Sequence, residues 1–148
     1  MQRKIVPDIV KPVDVASVTA DDTVLDAAKI MRDRKIAALI VVDADGNLIG
    51  IVTERDVVFR ATAEGKDPGT TKVSEIMTTN PDTLAPGDSS SDALELMQTR
   101  NYRHLPVVEG KKCIAVVSVR DLFNSVKESL EESIRETEAF VFGDRYGA

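Results

Sequence analysis

Gly50-Ile51-Val52-Thr53-Glu54-Arg55-Asp56 and Ala115-Val116-Val117-Ser118-Val119-Arg120-Asp121 are two copies of one local design. Each runs from apolar, largely β-branched residues into a hydroxyl residue, then places Arg and Asp two and three positions later. The apolar run reads as a strand. The hydroxyl followed by an acid three residues on reads as a helix start, because both side chains can serve free amides there. A strand turning into a helix is thus written twice.

Outward from these stretches the likeness continues. Asp26-Ala27-Ala28-Lys29-Ile30-Met31 matches Asp92-Ala93-Leu94-Glu95-Leu96-Met97, and Ile40-Val41-Val42 falls on Pro106-Val107-Val108 at the same offset. One residue is lost where Asp43-Ala44-Asp45-Gly46-Asn47 meets Glu109-Gly110-Lys111-Lys112. An internal repeat is the first thing such self-similarity implies. Within repeat one, a short strand around Val15 to Val18 precedes a helix start at Ala20-Asp21-Asp22. Val24, Ala27, Ala28 and Met31 keep the spacing of one buried helix face, as do Ser90, Ala93, Leu94 and Met97. Ala37 to Val42 reads as a buried strand, Asp45-Gly46-Asn47 as a hairpin turn, and Leu48 to Val52 as the returning strand. A second helix from about Glu54 to Ala63 stops at Gly65 and Pro68. Val73 to Met77 predicts a short helical turn before Thr79-Asn80-Pro81.

The expected fold is α/β (α+β): two β-α-β-β-α repeats packed about a pseudo-twofold axis, plus an extended C-terminal helix. The boundaries expected are residues 8–65 and 74–126 for the repeats, 66–73 for a linker and 127–148 for the helical extension and tail. Along the closing helix of repeat two and on into that extension, Leu122, Val126, Leu130 and Ile134 recur every four residues beside Glu128, Glu131, Glu132, Glu136 and Glu138. Such a stripe outlives its domain, so it packs back on the body or on another chain.

Composition narrows the function classes. A net charge of −6 over 148 residues argues against a protein that grips nucleic acid through its phosphates. It leaves room for a local basic pocket. One cysteine, Cys113, forms no intrachain disulfide and supplies no thiolate cluster for a structural metal, so no metal site is expected. The longest apolar run, Ile36 to Val42, is too short to cross a bilayer, and no signal-peptide stretch follows Met1. A cytoplasmic protein is expected.

The twin motifs carry the chemistry. Free amides and the helix dipole at a strand-to-helix turn favour an anion. A hydroxyl and an arginine can donate to phosphate, and a carboxylate can accept from the hydroxyls of a ribose. A nucleoside phosphate asks for that set. The plain alternative is that Thr53 with Asp56, and Ser118 with Asp121, only cap their helices.

Together with Arg103-His104-Leu105-Pro106-Val107-Val108 and Ile76-Met77-Thr78-Thr79-Asn80-Pro81, these motifs make residues 8 to 126 resemble a tandem pair of cystathionine-β-synthase (CBS) domains, or Bateman module. The resemblance implies two related clefts for adenosine-containing ligands (AMP, ADP, ATP or NAD, with magnesium beside a polyphosphate). Each cleft would be crossed, joining one repeat's Ser/Thr-x-x-Asp to the other repeat's first hairpin strand. The first would use Thr53, Arg55 and Asp56 with Thr83, Tyr102, Arg103, His104 and Pro106. The second would use Ser118, Arg120 and Asp121 with Ser17, Lys35, Ile36, Ala37 and Ala38. Asp would hold the ribose, hydroxyl and basic residues the phosphates, and backbone groups of the hairpin strand the adenine edge. Two departures stand out. Ala115 replaces Gly50, where a β-carbon would crowd a ligand, and Ala37-Ala38 stand where repeat two has Arg103-His104. The Asp56 cleft is therefore expected to prefer more phosphate.

No nucleophile–base pair or phosphate-cradling Gly loop is present in the sequence, so no catalytic residue is named and an enzyme is not expected. The reading is a regulatory module that passes energy or redox status to an unidentified regulated protein, with a homodimer of CBS pairs as partner arrangement and neither nucleic acid nor membrane involved. The alternative is a ligand-free scaffold or dimerisation module.

Overall fold

The computed structural model describes residues 3–146, with side chains described through residue 142. Repeat one contains β1 (Ser17–Thr19), α1 (Val24–Arg34), β2 (Ala38–Val42) and β3 (Leu48–Thr53). Helix α2 follows, opening at Glu54–Asp56 and continuing in wide π-type turns over Val57–Thr62. The short β4 (Thr78–Thr79) comes next, and repeat two supplies α3 (Ser90–Arg100), β5 (His104–Glu109), β6 (Lys112–Ser118) and the long α4 (Val119–Tyr146). The mixed α/β fold and the closing C-terminal helix agree with the sequence.

Local chemistry explains the joints. Helix α1 is capped by Thr23, which accepts from the Asp26 amide while Asp26 accepts from the Thr23 amide. The cap therefore lies one residue beyond the Ala20-Asp21-Asp22 expected. Asp22 instead accepts from the Thr19 amide and shapes the preceding turn. In the β2–β3 hairpin the Asp43 carboxylate accepts from the amides of Asp45 and Asn47, and Gly46 takes the left-handed φ of 79° that the turn needs.

Strand β1 runs parallel to β2, β2 and β3 form an antiparallel hairpin, and β4 adds antiparallel to β3. In repeat two, β5 and β6 form the matching hairpin, and Leu84 bridges parallel to Val107 as Val18 does to Val41. One face of each sheet meets its own helices. Leu39, Val41 and Val52 join Val24, Ala27 and Met31 in one core; Leu105, Val107, Ala115 and Val117 join Ala93, Met97 and Leu122 in the other. Ile40 opposite Ile51, and Pro106 opposite Val116, point to the other face at equivalent positions of the two hairpins. Ile40, Ile51 and Pro106 are buried there, outside both cores.

The leading segments are exchanged between the repeats. Val73 and Ile76 complete the core of repeat one, with Val73 donating to the Asp22 carbonyl and Ser74 to the Ala20 carbonyl. In the same way Ile5 is buried in repeat two, where Ile5 and Val6 donate to the carbonyls of Asp88 and Pro86. Both segments carry a short helical turn, a wide one at Ile5–Ile9 closed by the Val10 amide on the Ile5 carbonyl, and a tight one at Val73–Glu75. The second is the turn expected from Val73 to Met77. The first, which precedes the expected start of repeat one, was not.

Candidate functional site

The strand-to-helix turn at Thr53 is a closed capping box. Asp56 Oδ2 accepts from the Thr53 amide at 2.8 Å and from the Thr53 hydroxyl at 3.1 Å, while the Asp56 amide donates back to Thr53 Oγ1 at 3.4 Å. Ser118 and Asp121 repeat it, with Asp121 Oδ2 2.9 Å from the Ser118 amide and Ser118 Oγ 3.1 Å from the Asp121 amide. Both acids thus serve their own main chain. Asp56 still presents Oδ1, which faces Arg60 Nε at 3.6 Å, and its side chain keeps 14% exposure.

The amides at this turn are largely used. The Glu54 amide donates to the Ala37 carbonyl and the Asp56 amide to Thr53. In repeat two the Val119 amide donates to the Arg103 carbonyl in the equivalent way. An anion here would therefore rely on side-chain cations more than on the helix end, contrary to the expectation from sequence.

In front of Asp56 lies a cleft of about 290 Å³ built from both repeats. It brings Thr53, Arg55 and Asp56 together with Tyr102, Arg103 and His104, six of the eight residues expected there. Thr83 lies instead on a second, more open cleft with Asp43, Leu48 and Lys111. Pro106 is buried in β5, its carbonyl accepting from the Leu84 amide at 2.8 Å. The residues expected for the other site take equivalent local positions: Ser17 pairs with Ile40, Lys35 ends α1 with φ 55°, Ile36 follows it exposed, and Ala38 pairs with Thr53 beside Ala37. Neither cleft includes them or Ser118, Arg120 and Asp121.

Several lining residues lay outside the sequence-based site: Thr78, Pro81 and Asp82 before repeat two, Arg100 and Asn101 at the end of α3, and Phe59 and Arg60 on α2. The first group carried a signal. Thr78 and Pro81 belong to the Ile76-to-Pro81 motif, to which the sequence alone gives no place in the cleft. Gly50 explains why that motif comes so near. A β-carbon on Gly50 would stand 3.0 Å from the Thr78 carbonyl oxygen and 2.9 Å from Met77 Sδ. This glycine therefore admits the β4 segment rather than a ligand, which corrects the reason expected for the Gly50–Ala115 difference.

Four arginines (Arg55, Arg60, Arg100, Arg103) and three acids (Glu54, Asp56, Asp82) line the cleft. Arg60 is committed to Asp56 and to the carbonyls of Ile76 and Met77, and Arg55 lies 5.7 Å from the Phe59 ring centre. Burial holds His104 below the usual imidazole value; Glu54 and Asp121 pull it upward and Arg103 adds to the depression. Burial beside Asp82 raises the Tyr102 phenol. His104 is central to the geometry. It pairs in register with Ser118 of its own repeat and lines the cleft with Thr53 and Asp56 of the other.

Comparison with known proteins follows the same division of the chain. The model of the family described as CBS domain matches residues 6–62 and again 73–128. The chain is 35% identical over 129 residues to the CBS domain-containing protein CBSX3, mitochondrial, of Arabidopsis thaliana, covering 84% of this chain and 63% of that protein. It is 40% identical, with TM-score 0.73, to a solved protein with CBS domains from Burkholderia ambifaria MC40-6 that is provisionally assigned to signal transduction. That match covers 76% of this chain and 82% of the other. The structure of CBSX2 in complex with AMP is similar in fold, with TM-score 0.69 at 22% identity over 82% of this chain and 94% of that one. No helix among the described residues is long and apolar enough to cross a membrane.

Proposed function

The chain belongs to the CBS domain family as a tandem pair, and from that premise we propose that it is a non-catalytic regulatory module whose Asp56 cleft binds an adenosine-containing nucleotide. The observation that carries this is the cleft itself: Thr53, Arg55 and Asp56 of one repeat face Tyr102, Arg103 and His104 of the other across about 290 Å³ of open space. Binding sites for small molecules run from about 300 Å³ upward. The size therefore favours one nucleoside with few phosphates, AMP before ADP, ATP or NAD. Asp56 Oδ1 accepts a ribose hydroxyl while Oδ2 keeps the cap. Tyr102 offers a face to the base, and Arg103 and Arg100 receive the phosphate, joined by magnesium where a polyphosphate binds. That a family member of the same fold is solved with AMP supports the ligand class. Occupancy then shifts the relative packing of the repeats, or of paired chains, and so informs a regulated protein.

The other reading, a ligand-free scaffold, draws support from the two closed capping boxes, which give both acids a purely structural task. Melting curves with AMP, ADP, ATP, NAD and GMP separate the two. Ligand at a hundredfold excess over Kd stabilises by about 2.7 kcal/mol, worth several degrees in a chain of this size. AMP is expected to give that shift. Asp56→Asn, which keeps an acceptor for the Thr53 amide but loses the charge, is expected to abolish it with little change in the free protein. No shift with any nucleotide leaves the scaffold.

A further inference from the structure

Arg60 joins two walls of the Asp56 cleft. It projects from the wide stretch of α2, Val57–Thr62, one turn beyond Asp56. Its Nε lies 3.6 Å from Asp56 Oδ1, and its Nη1 donates to the carbonyls of Ile76 at 3.2 Å and Met77 at 3.4 Å. With the Arg60 side chain 54% exposed, the ion pair alone adds little stability. What it connects matters more. The two carbonyls stand just before Thr78, which lines the cleft, and Met77 and Thr78 already abut β3 at Gly50. One guanidinium therefore ties α2, which carries Asp56, to the segment that carries Thr78 and leads to Pro81 and Asp82.

Repeat two has no such tie at its own acid. At the offset that carries Asp56 onto Asp121, Arg60 falls on Ser125, which is buried. The arginine found there, Arg3, comes from the leading segment and reaches Ser125 Oγ at 3.5 Å, Glu128 at 3.3 Å and Glu132 at 3.8 Å. None of the ion pairs among the described residues includes Asp121. An arginine thus ties each closing helix to a leading segment, and only in repeat one does the tie pass through the motif acid. We propose that Arg60 is a positioning residue, which sets the spacing of Asp56 and the Thr78 wall and makes occupancy of that cleft felt at residues 76–78. The proposal rests on the nucleotide reading of the Asp56 cleft. A spacing fixed before the ligand arrives spares ordering on binding. Because coupling between linked sites is reciprocal, a ligand that bears on Asp56 steadies the segment that Arg60 holds.

Titration calorimetry with AMP and with adenosine, paired with hydrogen exchange on the full chain, tests it. Arg60→Ala removes a side chain outside both cores, so circular dichroism should stay unchanged. It is expected to weaken AMP and adenosine alike, about tenfold, because the loss lies in the shape of the cleft and not in a phosphate contact. In the wild type AMP is expected to slow exchange at the amides of Met77, Thr78 and Thr79. In Arg60→Ala at saturating AMP that slowing should vanish. Arg60→Lys keeps the cation without the fork that spans both ends, and should lose the slowing as Arg60→Ala does. A loss confined to AMP would make Arg60 a phosphate ligand and overturn the proposal. So would AMP that slows exchange equally in wild type and Arg60→Ala, or that leaves it unchanged in the wild type; the nucleotide reading would survive each of these results. Failure of both AMP and adenosine to bind the wild type would end that reading and this proposal together.

Discussion

His104 concentrates the site's chemistry in one residue. It is the only histidine, it lies in the seam between repeats, and burial favours its neutral form. A folded-state value held below the unfolded one means the unfolded chain takes up the proton first as pH falls. Stability from this residue is thus complete above the ordinary imidazole value and is lost on acidification toward the depressed one. Replacing it with Gln should flatten the fall of melting temperature between about pH 7.5 and 5.5; an unchanged slope would show that other groups cause the fall. Bound phosphate close to the ring works in the opposite direction, favouring the imidazolium. AMP should therefore bind more tightly toward the acid end of that range, and calorimetry in buffers of different ionisation heat should register proton uptake.

At the scale of elements, β3 is held between two demands. Its end must launch α2 through the Thr53–Asp56 cap, and its middle must admit β4 at Gly50. A methyl group there meets a backbone oxygen at 3.0 Å, which side-chain rotation does not relieve. Gly50→Ala is expected to cost about 1–3 kcal/mol, as overpacking does, and to loosen the Thr78–Thr79 edge. Faster amide exchange at β4 than at β1 would show it, whereas an unchanged melting curve would contradict it. The strand–helix turns and hairpins were legible in the sequence because residue type forces them: Gly46 for a positive φ, Thr and Asp for a cap. The cleft was legible on one side only. Thr53 to Asp56 and Tyr102 to His104 announced themselves by repetition and charge. Arg100, Asp82 and Phe59 reach the cleft through tertiary packing and carry no local mark.

For the whole molecule, the exchange of leading segments sets stability. Lys4-Ile5-Val6 takes the place in repeat two that Lys72-Val73-Ser74 takes in repeat one. The likeness was hidden because its offset differs by two residues from that of the flanking repeat, so an ungapped match fails there. Ile5 is fully buried, and its truncation empties a core built by the distant end of the chain. Ile5→Ala should cost about 2–5 kcal/mol, and the loss should fall on repeat two although the residue precedes repeat one. Hydrogen exchange confined to α1 and β2 would contradict that assignment. Coupled in this way, each repeat is completed by the segment that leads into the other, and neither is a separate unit.

Nucleotide recognition at that cleft is read most directly by a crystal structure of the chain grown with AMP. Density for the nucleotide should fill the space between Asp56 and His104, with the ribose against Asp56 Oδ1 and the phosphate toward Arg100 or Arg103. A cleft empty at saturating AMP, or AMP bound only elsewhere, would contradict it.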